Sequence, residues 1–287
     1  MRSWADQRRG EGRRLALVPT MGALHDGHLE LVREARAHAD AVVVSIFVNP
    51  TQFGPGEDFE QYPRPRPRDL ERLRELDPTL TVFAPSVTEM YPDGPEANLT
   101  WVNVEQLDRH LCGRRRTGHF RGVATVVTKL LHACKPHAAV FGLKDAQQFV
   151  ILRRMVRDLL IDVEIVGVPI VREKDGLAYS SRNAYLTSSQ RASAAALSRA
   201  VLCAAARIRE REQGVGALIE SMRSTLEQAE GVEIDYAEIV DAEMLQPVED
   251  IAPGQRVLVA VAAFLGRTRL IDSAFVDAPD KLPARYS

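Results

Sequence analysis

The sequence predicts an α/β fold: a parallel sheet with crossover helices over residues 1–175, followed by a smaller α+β domain over 176–287. Three observations predict it. Short runs rich in Val, Ile, Leu and Phe alternate with stretches of helical periodicity, the pattern of strand, crossover and parallel strand. After about residue 175 the alternation gives way to one Ala-rich helical stretch and then to long β-rich runs. A chain of 287 residues also suits two compact units, since domains commonly hold about 100–200 residues.

Five runs are short enough for strands: L-A-L-V at 15–18, A-V-V-V-S-I-F-V at 41–48, L-T-V-F-A at 80–84, A-A-V-F at 138–141 and V-E-I-V-G-V-P-I-V at 163–171. Between them Leu29, Val32 and Ala35 recur at helical spacing, as do Val150, Met155 and Leu159 with their apolar neighbours. Each crossover can therefore lay an apolar stripe on the sheet. In the second domain, Thr187-Ser188-Ser189-Gln190 resembles a capping box, and the helix it opens runs to the Gly214 and Gly216 interruptions. Three strands follow, V-E-I-D-Y-A-E-I-V at 232–240 and then two runs paired as a hairpin around Gly266-Arg267. The tract R-P-R-P-R at 64–68 reads as a stiff, exposed basic loop.

With 45% hydrophobic and 26% charged residues, the composition is that of a folded globular protein. A formal net charge of only -2 supplies no overall field for nucleic acid or an anionic membrane, so any anion must be bound by local groups. Cys112, Cys134 and Cys203 lie far apart without a C-x-x-C pair, which suggests neither a zinc knuckle nor a disulfide framework and fits a reducing cytoplasm. The apolar stretch at 257–265 is too short to span a bilayer, and the charged N-terminus lacks a signal-like apolar core.

The most informative stretch is V-P-T-M-G-A-L-H-D-G-H-L-E-L-V at 18–32, a passage from apolar strand through a Gly-containing turn into an amphipathic helix. Free backbone N–H groups at such a turn, with the positive helix end, can receive phosphate, and Gly22 and Gly27 allow close approach. Asp26 suits the N-cap, while His25 and His28, three residues apart, can share a face and donate to phosphate oxygens. One well-placed donor is worth about 3 kcal/mol in a transition state. The same two histidines could belong to a metal site, although spacing offers no third ligand, or cap the helix.

Three further groups follow strands on their carboxyl side, where open parallel sheets place their ligand crevice. Gln52, within N-P-T-Q-F at 49–53, can hold a carboxylate or hydroxyl, yet the segment also reads as an Asn-Pro turn. In G-L-K-D-A-Q-Q at 142–148, Lys144 can neutralise phosphate and Gln148 can face it from one turn onward, or Lys144-Asp145 can be a solvated helix start. The hydroxyls and guanidinium of Ser180-Ser181-Arg182 suit a triphosphate, as they also suit an ordinary loop. Arg116 and His119, in the Gly-hinged R-R-R-T-G-H-F-R-G-V, can add positive charge or form a basic surface loop.

In their order, P-T-M-G-A-L-H-D-G-H, S-I-F-V-N-P-T-Q-F, Y-P-R, T-G-H-F-R-G-V, G-L-K-D-A-Q-Q and I-V-G-V-P-I-V-R-E-K-D-G-L-A-Y-S-S-R-N-A-Y-L-T make the chain resemble the pantothenate synthetase family over nearly its whole length. The resemblance implies a Rossmann-like nucleotide-binding domain of the nucleotidyltransferase type, a smaller C-terminal domain that closes over substrate, and a cytoplasmic homodimer. It implies ATP-dependent condensation of (R)-pantoate with β-alanine through pantoyl adenylate, giving pantothenate, AMP and pyrophosphate. Met21, Gly22, Ala23, Leu24, His25, Asp26, Gly27 and His28 would then contact ATP, with Gly142, Leu143, Lys144, Asp145 and Val171, while Tyr179, Ser180, Ser181 and Arg182 close over it. His28 would be the proton donor, with His25, Lys144 and Arg182 beside it in the chemistry; Gln52 and Gln148 would hold pantoate, and Arg116 and His119 would line the same cavity. Mg²⁺ would accompany the nucleotide, its protein ligand unassigned.

The sequence departs from the family pattern at Leu143, where Glu is usual, at Thr117 and Pro65, where Pro and Thr are usual, and at Tyr179, usually aliphatic. The segment ahead of the first strand is short for the family, leaving a missing edge element or a misplaced start as readings. Two alternatives stay open: an H-x-G-H adenylyltransferase acting on a phosphate ester such as phosphopantetheine, and a non-catalytic nucleotide-binding protein.

Overall fold

The computed structural model describes residues 1–211 and 214–280, which divide into two compact units. The first comprises Met1–Asp108, Gly113–Gly142 and Gln148–Val171. Its strands are β1 (Leu15–Thr20), β2 (Ala41–Ile46), β3 (Thr81–Phe83), β4 (Ala138–Gly142) and β5 (Glu164–Val168), paired in parallel in the order β3-β2-β1-β4-β5. All five lie where short apolar runs predict them, and the α/β class holds. The helices that begin before residue 150 are α1 (Arg2–Gly10), α2 (Asp26–His38), α3 (Arg66–Leu76), α4 (Val87–Met90), α5 (Leu111–Arg115), α6 (His119–Cys134) and α7 (Ala146–Asp158).

Alternation along the strands gives the sheet two buried faces. Ala16, Val18, Val42, Val44 and Val140 pack with Leu31, Val32 and Ala35 of α2, while the intervening Leu15, Leu17 and Val43 are equally buried. That is the usual state of a parallel sheet covered by crossovers, and burying each such side chain is worth about 1.5–3 kcal/mol. Because β1 has β2 on one side and β4 on the other, the order reverses between β1 and β4. At such a reversal open parallel sheets place their ligand crevice beyond the carboxyl ends of the strands, which here end at Thr20 and Gly142.

The segment ahead of β1 forms α1, whose Ala5 is fully buried and whose Arg9 donates to Lys135 O at 2.9 Å. The R-P-R-P-R tract is not all loop: from Arg66 onward it is the first turn of α3, because Pro67 at that position loses no helical hydrogen bond and arrives with its φ already set.

The second unit comprises Arg109–Cys112, Leu143–Gln147 and the chain from Arg172, described here to Asp280. It carries α8 (Ser188–Arg209), α9 (Val215–Glu227) and an antiparallel sheet of β6 (Val232–Asp241), β7 (Arg256–Leu265) and β8 (Thr268–Asp277) in that order. Thr187 and Gln190 form the reciprocal cap: Gln190 N donates to Thr187 Oγ1 at 3.3 Å and Thr187 N to Gln190 Oε1 at 3.0 Å. Gly214 caps α9, so Gly216 lies inside that helix's first turn rather than interrupting it. Leu197, Val201, Ile208, Leu218 and Met222 pack on Val257, Val259 and Val261, giving this sheet one helix-covered face. Among the described residues no helix is long and apolar enough to cross a membrane.

Candidate active site

The loop leaving β1 is held by the protein at every amide from Gly22 to His25. Thr20 Oγ1 donates to Ser45 O at 2.7 Å and accepts from Gly22 N at 3.2 Å. Ala23 N and Leu24 N donate to the two carboxylate oxygens of Asp69, at 2.9 and 2.8 Å, and His25 N donates to His28 Nδ1 at 3.3 Å. This corrects the sequence reading of free backbone donors there: four successive N–H groups are already engaged. Gly22, at φ +81°, needs its freedom, since a Cβ would also stand 3.0 Å from Asp69 Oδ2. The N-cap is His25 rather than Asp26, which begins α2 and pairs with Arg72.

The imidazoles of His25 and His28 stack with centroids 4.0 Å apart, as their three-residue spacing allows. Because His28 Nδ1 accepts the His25 N–H, the hydrogen of a neutral His28 ring sits on Nε2. The bond from the His25 amide thus fixes which ring nitrogen of His28 carries the hydrogen, while the backbone donors of the loop are engaged within the protein.

The second group meets the first within the same unit. Gln52 Nε2 donates to Met21 Sδ at 3.1 Å, and its Oε1 accepts from buried Asn49 Nδ2 at 3.2 Å. Asn49 Nδ2 also donates to Gly122 O at 3.2 Å, while Asn49 Oδ1 accepts from Tyr91 OH at 2.8 Å and Thr51 Oγ1 at 3.0 Å. Burial pushes the Tyr91 phenol above its ordinary range against an opposing bond from Thr51; its hydroxyl donates to Asn49 Oδ1, as a phenol does at neutral pH.

Arg116 and His119 also converge on Gln52, through its backbone. His119 Nδ1 lies 2.7 Å from Gln52 O, which can only accept, and its Nε2 lies 2.9 Å from Arg116 NH1, which can only donate; the ring is therefore the Nδ1–H tautomer. Arg116 spends Nε and NH2 on Glu57, at 2.8 and 2.6 Å. The expectation of added positive charge is corrected accordingly, because Glu57 offsets the guanidinium and the pair braces the segment that carries Gln52.

Burial pulls the Glu57 carboxyl upward, but hydrogen bonds and charge from Arg116 outweigh it and leave the group below its ordinary 4.5. A depressed carboxyl contributes stability that is present above pH 4.5 and lost as pH falls through the lower folded value. Urea unfolding midpoints followed downward from pH 6 are expected to fall less steeply below about 4.5 in Glu57→Gln than in wild type. Equal slopes would place the pair outside the acid response.

Of the remaining first-unit residues, Gly142 ends β4, Gly27 lies in the first turn of α2, and half-buried Gln148 and Val171 lie in and after α7 and β5 respectively. Lys144, Asp145 and Ser180–Arg182 belong to the second unit. There Lys144 lies 3.8 Å from exposed Asp145, and Leu143, the departure from Glu, offers its carbonyl to Ser273 Oγ at 3.3 Å. Ser180 Oγ accepts from Arg182 N at 3.3 Å, and Asn183 Nδ2 ties the turn to Glu173 Oε1 at 2.8 Å and Ala178 O at 3.0 Å. Tyr179 is half-buried beside this turn. Sequence reasoning missed Asp69, Glu57 and Tyr91 and took Asn49 only as part of an Asn-Pro turn; the available signal was Asp69 four residues before buried Leu73, a carboxylate on the core-facing side of α3.

An enzyme of the α/β class is defined by these features, with imidazole and carboxamide groups gathered beyond the carboxyl ends of a parallel sheet. The family model for pantoate-beta-alanine ligase matches residues 1–275, and the chain belongs to that family. Curated relatives include the pantothenate synthetases of Salinibacter ruber, 58% identical over 97% of this chain and 96% of the relative, and of Thermotoga neapolitana, 53% identical over 96% of each. Among solved structures, pantothenate synthetase from Thermus thermophilus superposes with TM-score 0.85 and 44% identity, covering 94% of this chain and 96% of that one. A pantoate-beta-alanine ligase from Francisella tularensis, complexed with beta-gamma ATP and beta-alanine, gives TM-score 0.74 at 33% identity and covers 94% of each chain. The enzyme is accordingly a ligase that joins pantoate to β-alanine.

Proposed function

We propose that the ligation proceeds in two half-reactions in the cytoplasm: a pantoate carboxylate oxygen attacks the α-phosphorus of ATP, releasing pyrophosphate, and the β-alanine amine then attacks the acyl carbon of pantoyl adenylate, releasing AMP. The observation that carries this reading is the meeting of Gln52 with Met21, which sets a carboxamide beside the loop that presents His28. His28 Nε2–H donates to phosphate oxygen as charge develops, and His25 keeps the His28 ring oriented. Gln52 and Gln148 hold pantoate, with Arg116 and His119 bracing Gln52 from behind. Lys144 and Arg182 are assigned to the phosphates by charge type, Ser180 and Ser181 by their hydroxyls. Much of the rate then comes from alignment, and exclusion of water protects the mixed anhydride.

Mg²⁺ is proposed to arrive on the nucleotide, where it neutralises phosphate charge. Among the described residues no group of three or more His, Cys, Asp or Glu side chains suits a metal ion, and no step is assigned through it; Mg²⁺ characteristically binds substrate phosphates and water with at most one or two carboxylates. The family resemblance supports a homodimer as the working assembly.

Mass-spectrometric detection of pantothenate and AMP from ATP, pantoate and β-alanine tests the reaction, with pantoate-dependent pyrophosphate exchange testing its first half. Exchange driven by phosphopantetheine and not by pantoate would overturn it. For Gln52→Ala the loss is expected in the KM for pantoate, about tenfold for one removed hydrogen-bonding group, with the ATP dependence unchanged. An unaltered pantoate KM would remove Gln52 from this role.

A further inference from the structure

We infer that Asp69 and Arg72, neighbours on one face of α3, are positioning residues that hold the His25–His28 loop in its working shape; the inference rests on the donor role proposed for His28. Asp69 is almost wholly buried, and its two oxygens accept from Ala23 N and Leu24 N at 2.9 and 2.8 Å. Three residues onward, Arg72 NH1 donates to Leu24 O at 2.8 Å and NH2 pairs with Asp26. One turn of helix therefore grips both the amide and the carbonyl of Leu24. The next amide, His25 N, is the one that His28 Nδ1 accepts. Any rotation of the Leu24–His25 peptide is thus passed to the His28 ring and to the direction of its Nε2–H.

The backbone at this point is one that needs holding. Gly22 and Ala23 both adopt positive φ, +81° and +49°, and a non-glycine residue keeps that conformation only where its surroundings over-determine it. A buried carboxylate is retained only when its lone pairs are met by donors, and Asp69 meets two consecutive loop amides from 46 and 45 residues away. Asn at this position keeps the shape but turns one acceptor into a donor, opposing one of those amides.

The test compares wild type, Asp69→Asn, Arg72→Gln, His28→Ala and the Asp69→Asn/His28→Ala double variant by pantoate-dependent pyrophosphate exchange. A misplacement of about 1 Å costs on the order of 10²-fold, so Asp69→Asn is expected to lose about that much in wild type and little more when His28 is already absent, with ATP KM nearly constant. Equal losses in both backgrounds would mean general destabilisation and would overturn the inference. If Asp69→Asn does not fold, Arg72→Gln carries the same comparison with a smaller loss. Histidine-ring ¹H–¹⁵N spectra supply a readout independent of substrate: the fixed Nε2–H tautomer of His28 is expected in wild type and a mixture of tautomers in Asp69→Asn. An unchanged His28 signal sinks the inference whatever the enzyme turns over, whereas wild-type protein lacking exchange but showing the tautomer change sinks only the proposed reaction.

Discussion

His28→Ala is expected to lower pantoate-dependent pyrophosphate exchange by about 10²–10³-fold, the usual consequence of deleting one preorganised donor to a transition-state oxygen. Neither helix nor sheet should be lost. His28 is only half-buried, at the third position of α2, and its backbone bond to His25 O at 2.8 Å is independent of the ring. The missing Nδ1 acceptor costs about 1 kcal/mol of capping, which near-ultraviolet dichroism and a melting curve would register as a minor shift. His28→Gln discriminates further, because its carboxamide can still donate but cannot exchange a proton near neutral pH. Partial recovery in Gln identifies hydrogen bonding as the main contribution; recovery in neither, with ATP binding intact, points to proton transfer. Normal exchange in His28→Ala would take the residue out of the chemistry.

The sheet was legible because its signals are local. Each of the five strands is an apolar run that its own side chains must bury, and Leu29, Val32 and Ala35 announce α2 by spacing alone. The cap of α8 was equally local, Thr187 and Gln190 lying three apart. What could not be read was who occupies a given donor. Free amides at 22–25 follow from the turn sequence, but Asp69 arrives from 45 residues away, and within R-P-R-P-R-D-L-E-R-L it looks like one more charge on a solvated helix face. Likewise Arg116 and His119 read as surplus positive charge until Glu57, 59 residues earlier, offsets the guanidinium. The elements that carry the candidate residues were thus readable, whereas the partners that orient those side chains were set by packing. The positive φ of Ala23 illustrates the difference, since no alanine announces a left-handed conformation.

The packing dependence makes Gly122 the most sensitive position away from the reacting groups. It lies one turn into α6, where a Cβ would stand 2.2 Å from Thr51 O, 2.6 Å from Thr51 C and 2.9 Å from Gln52 N. These are backbone atoms, so no side chain can swing aside. Gly122→Ala must push α6 and the 50–52 turn apart, stretching the bond from Asn49 Nδ2 to Gly122 O and carrying Gln52 with it. Overpacking of this kind costs about 1–3 kcal/mol, and for a unit of this size, at about 2–4 °C per kcal/mol, lowers Tm by about 2–12 °C. Pantoate turnover is expected to fall by on the order of 10²-fold through misplacement of Gln52, with the ATP dependence less affected. Gly216→Ala in α9 is the matched control, since no atom lies within 4 Å of its Cβ, and there the same substitution should stabilise by about 0.4–1 kcal/mol. If Gly122→Ala instead behaves like Gly216→Ala, the turn carrying Gln52 is not set by its contact with α6.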